Sequence, residues 1–275
     1  IPKPTTAEGE RGLRALLTDP QRAVVALDYD GTLAPIVPDP EKATAHPRAV
    51  SALAGLAPRV ASIAVITGRP ARVAVELGGF ASVPGLEHLV VLGHYGAERW
   101  DAATGQVHTP PVHPGVEAAR AELPSLLRDL GAPEGTWLED KGRAVAVHTR
   151  RTQDPQGAFN LLEEPLRQLA QRHGLAVEPG RMVIELRPPG MDKGMALADH
   201  LRGIGAGSVL YAGDDLGDLA AFDTVDRMRS EGLPGLLVCS GTTEVTKLAE
   251  RADLVVDGPA GVVALLDALA DALGG

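Results

Sequence analysis

A doubly wound, parallel α/β sheet interrupted by an α+β module is the fold class this 275-residue sequence predicts, on three observations. Short apolar runs rich in β-branched residues alternate with longer Ala/Leu stretches of helical period. The runs are apolar throughout, as parallel strands covered on both faces require. From about Thr109 to Leu186 the alternation breaks, and Pro110-Pro111, Pro114 and Pro188-Pro189-Gly190 punctuate the two ends of that stretch.

In chain order, the core strands are expected at Val24–Asp28, Ile63–Thr67, Leu89–Leu92, Val209–Gly213, Leu236–Cys239 and Leu254–Val256. Helices are expected near Pro47–Leu56, Ala71–Leu77, Met195–Leu201, Leu219–Phe222, Thr243–Glu250 and Gly261–Leu273. The interrupting module reads as helix Val116–Leu130, strands around Trp137–Glu139 and Val145–Thr149, helix Gly157–Arg172, and strands Leu175–Glu178 and Val183–Leu186. This gives a core of residues 1–108 and 187–275 around a module of residues 109–186.

Composition narrows the function. Hydrophobic residues at 44% and charged residues at 23% exclude a disordered chain, and aromatics at 3% leave the core to Ala, Val, Leu and Ile. A formal charge of −10 with no Lys/Arg block excludes a general nucleic-acid binder, whose affinity comes from neutralising phosphates. Cys239 is the single cysteine, so an internal disulfide and a multi-Cys zinc site are excluded, and on its apolar run it is expected in the core. No apolar run reaches the ~18 residues of a membrane span and no secretory signal is evident, so a cytoplasmic monomer with no membrane partner is expected. His46, His88, His108, His113, His173 and His200 lack ligand spacing and are expected on the surface or in the module.

The sharpest feature is Asp28-Tyr29-Asp30-Gly31-Thr32 directly after the first apolar run. Ligands of open α/β sheets bind outside the carboxyl ends of the strands. Thr67-Gly68-Arg69 and Gly213-Asp214-Asp215-Leu216-Gly217-Asp218 stand at equivalent strand ends, and Lys193-Gly194 opens a helix. Each alone has an ordinary reading as a turn, cap or surface charge. Together they place several carboxylates, a hydroxyl and an ammonium at one sheet edge. Clustered carboxylates repel one another unless a hard cation sits among them, and Mg²⁺ takes oxygen ligands beside substrate phosphate.

This order of motifs resembles the haloacid dehalogenase (HAD) superfamily phosphatases, which implies a HAD-like core with an inserted cap. The resemblance implies Asp28 as the nucleophile that becomes an aspartyl-phosphate, and Asp30 as acid and then base. It implies Thr67 and Lys193 on the phosphoryl oxygens. Mg²⁺ would be held by Asp28, the carbonyl of Asp30 and Asp214, with Asp215 or Asp218 in support through water.

The module lies where the sugar-phosphatase branch carries its α+β cap. His94-Tyr95-Gly96-Ala97-Glu98, Glu139-Asp140-Lys141-Gly142, His148-Thr149-Arg150 and Glu185-Leu186-Arg187-Pro188 further resemble the trehalose-6-phosphate phosphatases. That likeness implies Glu139, Lys141, Arg150, Arg181 and Glu185 as readers of sugar hydroxyls, with His94 also on the substrate, while Arg69, following Thr67-Gly68, is placed either to touch the substrate phosphate or to start a helix. Lys141 and Lys193 are two of only five lysines in a chain that otherwise uses arginine, which fits a need for a compact ammonium there. His94-Tyr95-Gly96 stands where the family commonly has Asn-His-Gly, and Leu216-Gly217-Asp218-Leu219 where it has x-Thr-Asp-Glu. No synthase region is read, so a stand-alone, Mg²⁺-dependent phosphatase hydrolysing trehalose 6-phosphate in trehalose biosynthesis is expected. A HAD phosphatase or phosphomutase acting on another sugar phosphate is the alternative. A receiver-type signalling module shares the acidic cluster but has no general acid two residues after its phosphoacceptor.

Overall fold

The structure, a computed structural model, describes residues 1–190, 192–241 and 246–274. The chain divides into two compact units, Ile1–Thr109 with Asp192–Gly275, and Pro110–Met191.

The first unit opens with α1 (Ala7–Thr18), β1 (Ala23–Leu27), α2 (Ala49–Leu56), β2 (Ser62–Ile66), α3 (Ala71–Gly78), β3 (Val90–Gly93), β4 (Glu98–Asp101) and β5 (Gln106–His108). The second unit contains α4 (Pro114–Asp129), β6 (Trp137–Asp140), β7 (Val145–His148), α5 (Pro155–Arg172), β8 (Ala176–Gly180) and β9 (Val183–Arg187). The chain then returns through α6 (Lys193–Ile204), β10 (Ser208–Gly213), α7 (Leu219–Ser230), β11 (Gly235–Gly241), α8 (Thr246–Arg251), β12 (Leu254–Asp257) and α9 (Gly258–Leu273).

The core sheet runs β12-β11-β10-β1-β2-β3-β4-β5. Its first six strands are parallel, and the register pairs Leu27 with Ala212 on one side and Val65 on the other. The carboxyl ends of β10, β1 and β2 are therefore level, and the residues that follow each strand emerge together. β1, β2 and β10 are buried at every position, because helices cover both faces. One face packs Leu27, Val65 and Leu210 with residues of α1, α2, α3 and α9, and the other packs Ala26, Ile66 and Tyr211 with α6, α7 and α8.

Three features differ from the expectations. β4 and β5 extend the sheet by antiparallel pairing, and of the Glu98–Asp101 side chains only Trp100 is buried, so no apolar run announces them. α1, which is not among the expected helices, turns Gly9, Gly12 and Leu16 inward with Leu13 and Leu17 packed beside them, so its apolar stripe is confined to the second half of the helix. A Cβ on Gly12 would lie 2.1 Å from the carbonyl oxygen of Gly235, a close approach only glycine permits. His200 is buried in the core rather than exposed. Its Nε2 lies 2.9 Å from the Ser62 hydroxyl, and burial pushes the imidazole down to about 4. The expected helix Thr243–Glu250 is described only from Thr246, its first three residues lying outside the described residues.

In the second unit an antiparallel sheet of order β6-β7-β9-β8 buries Val145, Val147, Ile184 and Leu186 with α4 and α5. The alternation of strand side chains leaves Glu139, Ala146, Glu185 and Glu178, which are in register across the four strands, on the other face. Among the described residues no helix is long and apolar enough to cross a membrane.

Candidate active site

Asp28 follows β1 directly and its N–H still donates to the Ala212 carbonyl at 2.9 Å, so the ladder itself fixes the residue at the sheet edge. The chain then turns sharply, the Gly31 N–H donating to Ala34 at 2.7 Å. Gly31 has φ +80°, and a Cβ there would stand 1.8 Å from an Asp214 carboxylate oxygen. Both conformation and space demand glycine. Gly31→Ala is expected to displace Asp214 and lose most activity, while Gly105→Ala, also at positive φ but with nothing within 4 Å, should only lower stability. Phosphate release and thermal unfolding of the two variants separate these effects.

After β10, Asp218 folds back on its own turn. One oxygen accepts the N–H groups of Asp214 (3.0 Å) and Asp215 (3.2 Å), and the other accepts the Tyr211 hydroxyl at 2.6 Å and the Lys193 ammonium at 3.0 Å. Lys193 is placed by its helix. The Asp192 side chain caps α6 by accepting the Met195 N–H at 2.8 Å, so Lys193 begins the helix and its Nζ reaches Asp28 at 2.7 Å. Asp28 and Lys193 are buried and Asp218 is fully buried. Asp215 is exposed at the turn, its carboxylate accepting the Gly217 N–H at 2.9 Å.

After β2, the Thr67 hydroxyl accepts the Arg69 N–H at 3.1 Å, and the Arg69 guanidinium forks the two oxygens of Asp30 at 2.7 and 2.8 Å. The next turn is laced to this loop, with His94 N–H on the Arg69 carbonyl and Tyr95 N–H on the Thr67 carbonyl, both at 2.9 Å. His94 (φ 45°) and Tyr95 (φ 57°) both take the left-handed conformation, and such strain persists only where surroundings enforce it. The buried His94 ring lies 3.3 Å from Glu98, which also accepts the Ala71 N–H at the start of α3.

Four carboxylates, Asp28, Asp214, Asp215 and Asp218, thus share one ammonium. Burial and the neighbouring Asp218 raise the Asp28 carboxyl well above its ordinary value despite Lys193. Asp218 is held below its ordinary value, since Lys193, the Tyr211 hydroxyl and the Asp215 N–H outweigh its burial. Lys193 is raised because Asp218 and Asp28 outweigh desolvation. Burial, with Asp215 and Asp218, pushes Asp214 up to about 7.

This surplus of negative charge is what a divalent cation would relieve. Oxygens of Asp28, Asp214 and Asp218 lie within 4.8 Å of one another, and among the described residues the buried Oδ1 of Asp214 has no hydrogen-bond partner. The donor set is all oxygen, as Mg²⁺ prefers. Asp218 already accepts four donors, so Asp28 and Asp214 are the direct ligands the geometry favours.

Asp214 gives a pH test. The folded chain holds this proton up to about pH 7, whereas an ordinary aspartate releases it near 3.8. The stability it contributes is therefore present below about pH 4 and lost as pH rises through about 7. A cation competes with the proton and offsets that loss. The rise in Tm on adding Mg²⁺ is expected to be larger at pH 8 than at pH 5 and to vanish in Asp214→Ala. An equal rise at both pH values would place the cation elsewhere.

In the second unit the structure brings together Glu139, Lys141 and Glu185 on the face opposite the helices. Lys141 Nζ is 2.5 Å from Glu185 Oε2, and among the described residues Oε1 of the buried Glu185 has no hydrogen-bond partner. Glu139 is held by His148 at 2.7 Å, whose ring stacks on Trp137 with centroids 4.1 Å apart. Arg150 and Arg181 are exposed at the other end of the strands, Arg150 donating to the Arg181 carbonyl at 3.4 Å. Sequence reasoning missed Tyr211 and His148. Their only signals are a hydroxyl inside an apolar strand and an imidazole one register step from the glutamate.

The trehalose-phosphatase family model matches residues 26–256. The trehalose-phosphate phosphatase of Mycobacterium tuberculosis is 35% identical over 263 residues, covering 91% of this chain. The chain spans 62% of the length of that relative. The C-terminal domain of Candida albicans trehalose-6-phosphate phosphatase superposes with TM-score 0.74 at 21% identity, covering 98% of each chain. A haloacid dehalogenase-like hydrolase from Bacteroides thetaiotaomicron superposes with TM-score 0.61 at 16% identity, covering 90% of this chain and 99% of that one, so the fold is HAD-like. With the match running from β1, directly before Asp28, into β12, the chain belongs to the trehalose-phosphatase family.

Proposed function

We propose that this chain hydrolyses trehalose 6-phosphate to trehalose and phosphate through an aspartyl-phosphate on Asp28. The observation that carries the reading is the buried Lys193 ammonium bridging Asp28 and Asp218 beside Asp214, at the strand ends the family match includes. Asp28 attacks phosphorus as the P–O bond to the sugar breaks, and Asp30 gives its proton to the leaving oxygen. Asp30 then takes a proton from water, whose oxygen bonds to phosphorus as the P–O bond to Asp28 breaks, releasing phosphate and restoring the Asp28 carboxylate. Thr67 and Lys193 bind the phosphoryl oxygens, and Lys193 keeps Asp28 oriented.

Asp28, Asp214 and the carbonyl of Asp30 would hold Mg²⁺, whose charge would offset that of the phosphoryl group. Arg69, engaged on Asp30, has the reach and fork geometry to shift onto the substrate anion. Buried His94 holds the Thr67–Arg69 loop rather than the sugar. In the second unit Glu139, Lys141 and Glu185 read the sugar hydroxyls, and the unpartnered Glu185 Oε1 is an acceptor waiting for a donor. Arg150 and Arg181 supply positive charge at the far strand end.

Phosphate release is to be measured from trehalose 6-phosphate beside glucose 6-phosphate, sucrose 6-phosphate and mannose phosphates, with and without Mg²⁺. A strong preference for trehalose 6-phosphate, lost with a chelator, is the expected result. Preference for another sugar phosphate would discard the substrate, and isomerised sugar with little free phosphate would make the chain a mutase.

A further inference from the structure

The turn that carries Lys141 is held from two sides, and one of the clamps uses a residue for which the chemistry described above has no role. Lys141-Gly142-Arg143-Ala144 closes the β6–β7 hairpin, the Lys141 N–H donating to Ala144 at 3.0 Å. From α4, Arg120 donates to the Gly142 carbonyl at 2.9 Å and pairs with Asp140 at 3.0 Å. Arg143 is buried, 8% exposed, an uncommon place for a guanidinium. Among the described residues it has no carboxylate partner. It donates to the carbonyls of Pro110 (2.5 Å) and Pro111 (2.9 Å), and its Nε is buried without an acceptor.

A buried cation without an anion is costly, and carbonyl dipoles offset only part of the lost hydration. Folding tolerates such a group where its geometry matters. Pro110 and Pro111 begin the second unit, and proline fixes φ, so this strap is stiff. The planar guanidinium spans two consecutive carbonyls at once, which a lysine ammonium on its flexible stem does not do as rigidly.

We propose that Arg143 is a positioning residue, fastening the proline strap to the hairpin turn and so holding Lys141 against Glu185 in the geometry that binds the sugar. This rests on the proposed reading of Lys141 and Glu185 as sugar-binding groups. Sugar affinity should then depend on a residue that touches neither sugar nor phosphate.

The test compares wild type, Arg143→Met and Arg143→Lys on trehalose 6-phosphate and on para-nitrophenyl phosphate, which has no sugar. Amide exchange is followed at Val112 and His113, which directly follow the two prolines, at residues 140–144 and at the centres of β7 and β9. The expected result for Arg143→Met is a KM for trehalose 6-phosphate raised about tenfold with kcat within about twofold. Para-nitrophenyl phosphate hydrolysis should be unchanged, and exchange faster only in the strap and the turn. Arg143→Lys should fall between.

An unchanged KM in a folded Arg143→Met overturns the proposal, as does an equal loss on both substrates. If Arg143→Met does not fold, Arg143→Lys decides, since a wild-type KM in that variant also overturns it. If wild type hydrolyses para-nitrophenyl phosphate but shows no preference for trehalose 6-phosphate, the sugar reading fails on its own account, and exchange in the strap and turn still tests the clamp.

Discussion

Asp28→Asn is expected to reduce phosphate release by at least about a thousandfold while the protein stays folded. The Asp28 carboxylate directly follows β1 and is held by the Lys193 ammonium, whereas both oxygens of Asp30 are engaged by Arg69, and an amide of the same shape is a far poorer nucleophile. The fold should survive for an electrostatic reason. Burial and Asp218 already raise the Asp28 carboxyl above its ordinary value, so its charge is a burden that the neutral amide removes. Lys193 keeps Asp218 as its partner at 3.0 Å. Phosphate release and thermal unfolding of the purified variant check both halves. Activity above a few per cent of wild type would remove Asp28 from the role of nucleophile.

Lys193→Met is expected to cost both activity and stability. It leaves Asp28 and Asp218 buried without their shared cation, and breaking a buried pair by removing one partner costs about 3–5 kcal/mol. The sign of the pH dependence follows. Asp28, already raised, sheds its charge most readily as pH falls, so the destabilisation should shrink at acid pH and be greatest above neutrality. Urea unfolding at pH 5 and pH 8 measures it, and adding Asp28→Asn to Lys193→Met should recover part of the loss. A penalty below about 1 kcal/mol at pH 8 would mean that the ammonium does not hold the carboxylates together.

Much of this was legible in the sequence because parallel strands sheathed on both faces write themselves as apolar runs, and the motif residues follow those runs directly. Val24–Leu27, Ile63–Ile66 and Val209–Ala212 are of this kind, and Asp28, Thr67 and Asp214 follow within a residue or two. What was illegible has physical causes. α1 has only a short apolar stripe, Leu13, Leu16 and Leu17, and its first half packs through the absence of side chains at Gly9 and Gly12, which no hydrophobic pattern reports. β4 and β5 are held by antiparallel pairing, with little burial to mark them. The fork of Arg69 on Asp30 joins residues 39 positions apart, and the separation of Arg150 and Arg181 from Lys141 depends on strand register. Neither is encoded in local spacing.

The Asp28–Lys193 contact closes a span of 165 residues, with a whole second unit folded from the chain in between. Bringing such distant segments together costs loop entropy before any contact repays it, so this pair belongs to the slow, non-local part of assembly. Turnover is therefore a late reporter of folding. In refolding followed by both activity and backbone signal, the antiparallel unit can regain its sheet while phosphate release still waits on the register of β10 against β1.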